Sequence, residues 1–157
     1  MSTSIFVAKL AGTMPVLQPD QRRQSMTETS QFGPCSPFLI VSDIERSVRH
    51  YVDALGFTCT FRGPEPDDIY FAIVNRGSAQ IMLKVINDDI KPIPNHTRHE
   101  WAGLDAFIYI SDPDTLAREF ADRDVPFHRA LETDDDGLRG FKVADPDGYV
   151  CYFGRPV

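Results

Sequence analysis

The side chains best suited to metal binding or nucleophilic attack are four histidines and three cysteines, and their spacing decides what they can do. His96 and His99 fall in the run HTRHE just after Pro94, away from the helical setting that would put two imidazoles on one face. His50 belongs to a helical stretch and His128 to a strand-like one, so the four offer no convergent set. Cys35, Cys59 and Cys151 lack metal-ligand spacing, and an odd number in 157 residues argues against a disulfide framework. They read as small core residues with reduced thiols, as expected in a cytoplasm. The serines fall in helix caps or in a polar leader. What remains is a population of aromatic rings with a few polar groups, the lining of a small-molecule pocket.

Charge narrows the partners. Sixteen Lys and Arg against 23 Asp and Glu leave a formal charge of −7, which disfavours nucleic acid and anionic membrane surfaces and steers cationic small molecules toward the chain. No apolar run approaches bilayer length. The opening MSTSIFVAKLAGTMPVL has no positive charge ahead of its short apolar run, unlike a signal peptide. Residues 18–34 are polar and without period, so residues 1–34 are expected to be a flexible leader, with Met26 an alternative start.

The elements that must position a pocket are clearest around FKVADPDGYVCYF (141–153). Two β-prone runs flank Asp145-Pro146-Asp147-Gly148, a tight-turn cluster, and alternation sets Tyr149, Cys151 and Phe153 on one face and Val150 and Tyr152 on the other. Upstream, SPFLIV ends at Ser42-Asp43-Ile44-Glu45, a capping-box pattern, and a helix is expected to about Leu55 with Gly56 as its terminator. Strand-like runs follow at 57–62, 69–75 and 79–86, separated by the turn-rich Gly63-Pro64-Glu65-Pro66 and by Arg76-Gly77. Residues 87–100 form a connector with two prolines.

AFIYI, a helix capped at Ser111-Asp112-Pro113-Asp114, and strands at 127–131, 140–144 and 149–153 then repeat the order. An offset of 69 pairs Ser42 with Ser111, Asp43 with Asp112, Arg49 with Arg118 and Asp53 with Asp122. The fold class is therefore α+β: two tandem βαβββ modules (35–86 and 101–157) forming a cupped mixed sheet, with helices on the outer face. Two such sheets placed edge to edge would enclose a cleft.

This arrangement resembles the vicinal oxygen chelate superfamily, which includes glyoxalase I, extradiol dioxygenases, fosfomycin-resistance enzymes and bleomycin-resistance proteins. The matching stretches are IVSDIERSVRHYVDALGF (40–57) and VADPDGYVCYF (143–153), and the likeness spans about 36–155. Within it, ISDPDTLAREFA (110–121) and the DPDG hairpin look most like bleomycin-resistance proteins. Metal-dependent members carry His or Glu at four positions, which fall here at Ser36, Met82, Asp105 and Tyr152. Of these only Asp105 is a good donor, and one carboxylate does not hold a catalytic metal. The resemblance therefore implies no metal, no cofactor and no catalytic residue.

With faces set by those positions, Phe38, Ile40, Gln80, Met82, Lys84, Asp105, Phe107, Tyr109, Val150 and Tyr152 point to the cleft, and Leu39, Val41, Ile81, Leu83, Val85, Ala106, Ile108 and Ile110 to the helices. The candidate ligand-binding residues are Phe38, Met82, Lys84, Asp105, Phe107, Tyr109 and Tyr152, with Trp101 overhanging the groove. Rings there could stack on planar or cationic ligands, and Asp105 could pair with an amine. Equally, the rings could pack on a second subunit; in bleomycin-resistance proteins both hold, because their ligand grooves lie between subunits of a homodimer. The expected function is sequestration of a planar or cationic small molecule of the antibiotic-binding type, without catalysis. The alternatives are a metal-dependent lyase, transferase or dioxygenase of the same superfamily and a ligand-free interaction module.

Overall fold

The computed structural model describes Gly33 and residues 35–157, so the expected leader, Met26 included, lies outside the described residues apart from Gly33. The first module runs β1 (Phe38–Ile40), α1 (Ile44–Arg49), β2 (Thr58–Glu65), β3 (Asp68–Arg76) and β4 (Ala79–Lys84). The second runs β5 (Ala106–Tyr109), α2 (Pro113–Asp122), β6 (Arg129–Thr133), β7 (Leu138–Ala144) and β8 (Val150–Pro156). Each module builds its own four-stranded mixed sheet, in the orders β1-β4-β3-β2 and β5-β8-β7-β6. The first strand of each pairs in parallel with the last, and the other pairings are antiparallel.

Two local expectations change. The cap of α1 is Asp43, whose side chain accepts from Arg46 N at 2.9 Å, while Ser42 turns away to Asp147 of the other module. A shorter side chain one residue ahead cannot serve the helix once a carboxylate across the module boundary claims it. The helix then continues as a π-helical turn, His50–Ala54, before Gly56 at φ 69° reverses the chain. Second, Gly63, Pro64 and Glu65 are not a loop. They extend β2 against β3, because bulges at Cys59/Phe61 and Gly63/Pro64 let the ladder absorb a proline that cannot donate to it.

The modules do not meet sheet edge to sheet edge. Their helix-bearing sides merge into one core in which Tyr51, Leu55 and Phe57 of the first module join Phe120, Phe141 and Phe153 of the second. The Tyr51 hydroxyl donates to Asp145 at 3.2 Å, and Arg76 donates to Glu119 at 2.6 Å. This follows from composition: Leu39, Ile81, Leu83, Ala106, Cys151 and Phe153 make apolar faces too large for six-residue and ten-residue helices to cover alone, so each module completes the other. The opposite faces of both sheets remain on the outside.

Candidate site on the helix-free faces

On the first sheet, register sets Phe38 beside Met82 and Met82 beside Ile73, with Phe61 next in the same row. Phe38 is 56 % exposed. Its ring stacks on Phe71 at 6.1 Å, and Phe71 contacts Phe61 at 5.8 Å, so β1, β2 and β3 carry a continuous aromatic strip. The pairing of β3 with β4 sets the face of Phe71, and the bulged register of β2 sets that of Phe61. Lys84 crosses to lie over the Tyr70 ring at 3.7 Å from its centroid.

On the second sheet the equivalent row is Phe107, Tyr152 and Lys142. Tyr152 lies flat, because Gly140 and Gly154 pair across β7 and β8 and leave its ring the space that side chains would fill. A Cβ on Gly140 would stand 2.5 Å from Tyr152 Cζ and 2.6 Å from its hydroxyl. Phe107 stacks on the other side of that ring at 5.0 Å, leaving Tyr152 only 4 % exposed while Phe107 and Tyr109 are 45 % and 67 % exposed. Burial raises the Tyr152 phenol above its ordinary pKa.

Asp105 is structural as well as central. One carboxylate oxygen accepts Asn95 N at 2.8 Å and the other Val150 N at 2.7 Å, so the group ties the connector to β8. An amine would have to compete with two backbone donors already in place. Trp101 lies in the connector, 86 % exposed, with its ring edge-on to His99 at 5.9 Å. Ser36 donates its hydroxyl to Gln80 at 2.8 Å.

Among the described residues no three His, Cys, Asp or Glu side chains converge as a metal-holding group. Cys151 is buried, and burial pushes its thiol up to about 12, far from nucleophilic use.

A cavity of about 400 Å³ opens between β1 and the connector. Of the sequence-level candidates it contains Phe38 and Asp105; Met82, Lys84, Trp101, Phe107, Tyr109 and Tyr152 are not in its wall. Its remaining wall includes Ile90, Lys91, Ile93 and Arg98, connector residues that sequence reasoning left out. The available signal was the pair of isoleucines on either side of Lys91-Pro92 in an otherwise polar run.

Solved structures share this fold. The bleomycin-binding protein of Streptomyces verticillus, complexed with copper(II)-bleomycin, is 27 % identical, with 78 % of this chain and 95 % of that chain covered at a TM-score of 0.57. TioX from Micromonospora sp. ML1 shares the fold at 21 % identity, with 80 % and 100 % covered and a TM-score of 0.62. TnmS3, an antibiotic binding protein from Streptomyces sp. CB03234, shares it at 18 % identity, with 82 % and 98 % covered and a TM-score of 0.60. No curated protein sequence matches the chain. With its tandem modules and a family model that matches residues 31–153, the chain belongs to the Glyoxalase/Bleomycin resistance protein/Dioxygenase superfamily.

Proposed function

We propose that this protein binds a planar small molecule and does not transform it, acting as a cytoplasmic homodimer. The observation that carries the reading is the set of large rings left open on the helix-free faces, Phe38, Phe107 and Tyr109, of which Phe38 also lines a cavity of about 400 Å³. Rings of this size bury roughly 150–250 Å² each when a planar partner covers them. The likeness to a bleomycin-binding protein supports ligand capture as the use of that surface. The four ligand-equivalent positions support the absence of catalysis: Ser36 is bonded to Gln80, Met82 is a thioether, Asp105 is held by backbone amides and Tyr152 is buried as a phenol.

Calorimetric titration with copper(II)-bleomycin and with uncharged anthraquinone tests the reading. At least one should bind, and Phe107→Ala should weaken it by about 1–3 kcal/mol, the scale of lost aromatic burial and stacking. Leu83→Ala is the control, because truncating a buried leucine removes about 2–5 kcal/mol of stability while leaving the ring surface in place. Heats absent with both probes, or ring truncation that lowers dimer stability without touching affinity, would assign the rings to the subunit interface instead.

A further inference from the structure

The cavity between β1 and the connector has a charge pattern opposite to that of the whole chain. Its apolar wall includes Phe38, Ile40, Ile90 and Ile93, and its cations are Lys91 and Arg98. The one carboxylate in the wall is Asp105, both of whose oxygens already accept backbone N–H groups. Among the described residues, the ion pairs are made by other arginines, and neither Lys91 nor Arg98 takes part in one.

We infer that this cavity takes an organic anion, an aromatic or alicyclic carboxylate or sulfonate, with its acid group at Lys91 and Arg98 and its apolar body against Phe38, Ile90 and Ile93. This deepens the small-molecule reading and rests on it. The volume suits a bicyclic ring system, within the usual range of about 300–1,000 Å³ for ligand pockets. A guanidinium presents a planar fork that fits a carboxylate or sulfonate edge, and the ammonium adds a point charge from the same connector. The formal −7 of the chain does not oppose this at contact range. Charges spread over the surface are screened beyond about 8 Å at physiological salt, whereas two cations in the cavity wall act within it. A cationic ligand would meet the reverse: two like charges and a carboxylate already bonded.

Three matched probes test the inference with the full chain: 2-naphthoate, 2-naphthylmethanol and 2-naphthylmethylammonium, each titrated by calorimetry in low salt and at physiological salt. Naphthoate should bind at least about tenfold more tightly than the other two, and salt should reduce that advantage. Arg98→Gln and Lys91→Gln should each weaken naphthoate several-fold and leave naphthylmethanol unchanged. Both side chains are exposed and make no ion pair among the described residues, so the folds should melt as the parent does. An ammonium probe that binds as well as naphthoate overturns the inference, as does naphthoate affinity that is indifferent to both substitutions. If no naphthalene binds while anthraquinone or copper(II)-bleomycin does, this inference falls and the small-molecule reading stands; if none of the five binds, both fall.

Discussion

Tyr152 shows how a single side chain can change meaning between sequence and structure. Alternation places it on the helix-free face, yet the glycine pair Gly140 and Gly154 lets its ring lie flat beneath Phe107, so it serves as the base of the aromatic ledge rather than its surface. Gly140 adopts no left-handed conformation, and its requirement is space: an added methyl would meet Phe153 O and the Tyr152 ring at 2.5 Å. Gly140→Ala should therefore destabilise the fold by about 1–3 kcal/mol, the usual scale of overpacking, measurable by urea denaturation. Replacing Tyr152 by Leu in the same chain should recover part of the loss; no loss in the single variant would mean that both the ring and the Phe153 carbonyl give way freely.

At the scale of elements, the DPDG turn between β7 and β8 is the joint between modules. Asp147 receives the Ser42 backbone N–H at 3.1 Å and Arg46 at 2.7 Å, which anchors the start of α1 to the second sheet. Asp145 is buried and accepts from Tyr51, Asp147 N and Tyr149 N. Burial outweighs those donors and pushes its carboxyl up to about 6 from 3.8. A carboxyl whose folded value lies above its unfolded one binds more protons in the folded state between those values, so its contribution to stability grows as pH falls through 6 toward 4. Between pH 7 and pH 5 the parent should gain about 1 kcal/mol relative to Asp145→Asn in paired denaturation curves. A constant difference across that window would show that Asp145 ionises as an exposed carboxyl does.

For the whole molecule, packing the modules through their helix sides has a clear consequence. The ring-bearing faces of the two sheets are turned outward, and one chain cannot close them over a ligand by itself. Phe38 and Tyr109, at 56 % and 67 % exposed, belong to different sheets. A second copy that covers them would bury apolar area of the kind that stable interfaces place at their centre. Sedimentation should accordingly find a dimer, and Tyr109→Lys should shift it toward monomer by setting a charge in that surface; a parent chain that sediments as monomer at tens of micromolar removes the second copy from the proposed function.

The tandem βαβββ modules and the helix-side core were legible in the sequence because they rest on local patterns: alternation in AFIYI and YVCYF, Asp112 ahead of Pro113, and the offset that superimposes Ser42-Asp43 on Ser111-Asp112. Leu39, Ile81, Leu83 and Ala106 are buried where period two put them. Tertiary structure decided the rest, since each case depends on a partner distant in the chain. Ser42 left its helix for Asp147, 105 residues away, and Asp105 was taken by the amides of Asn95 and Val150. The connector, polar by composition, folded Ile90, Ile93, Lys91 and Arg98 around a cavity at the edge of β1. Periodicity reports which face of an element is apolar; it carries no information about which remote donor, ring or cation that face will meet.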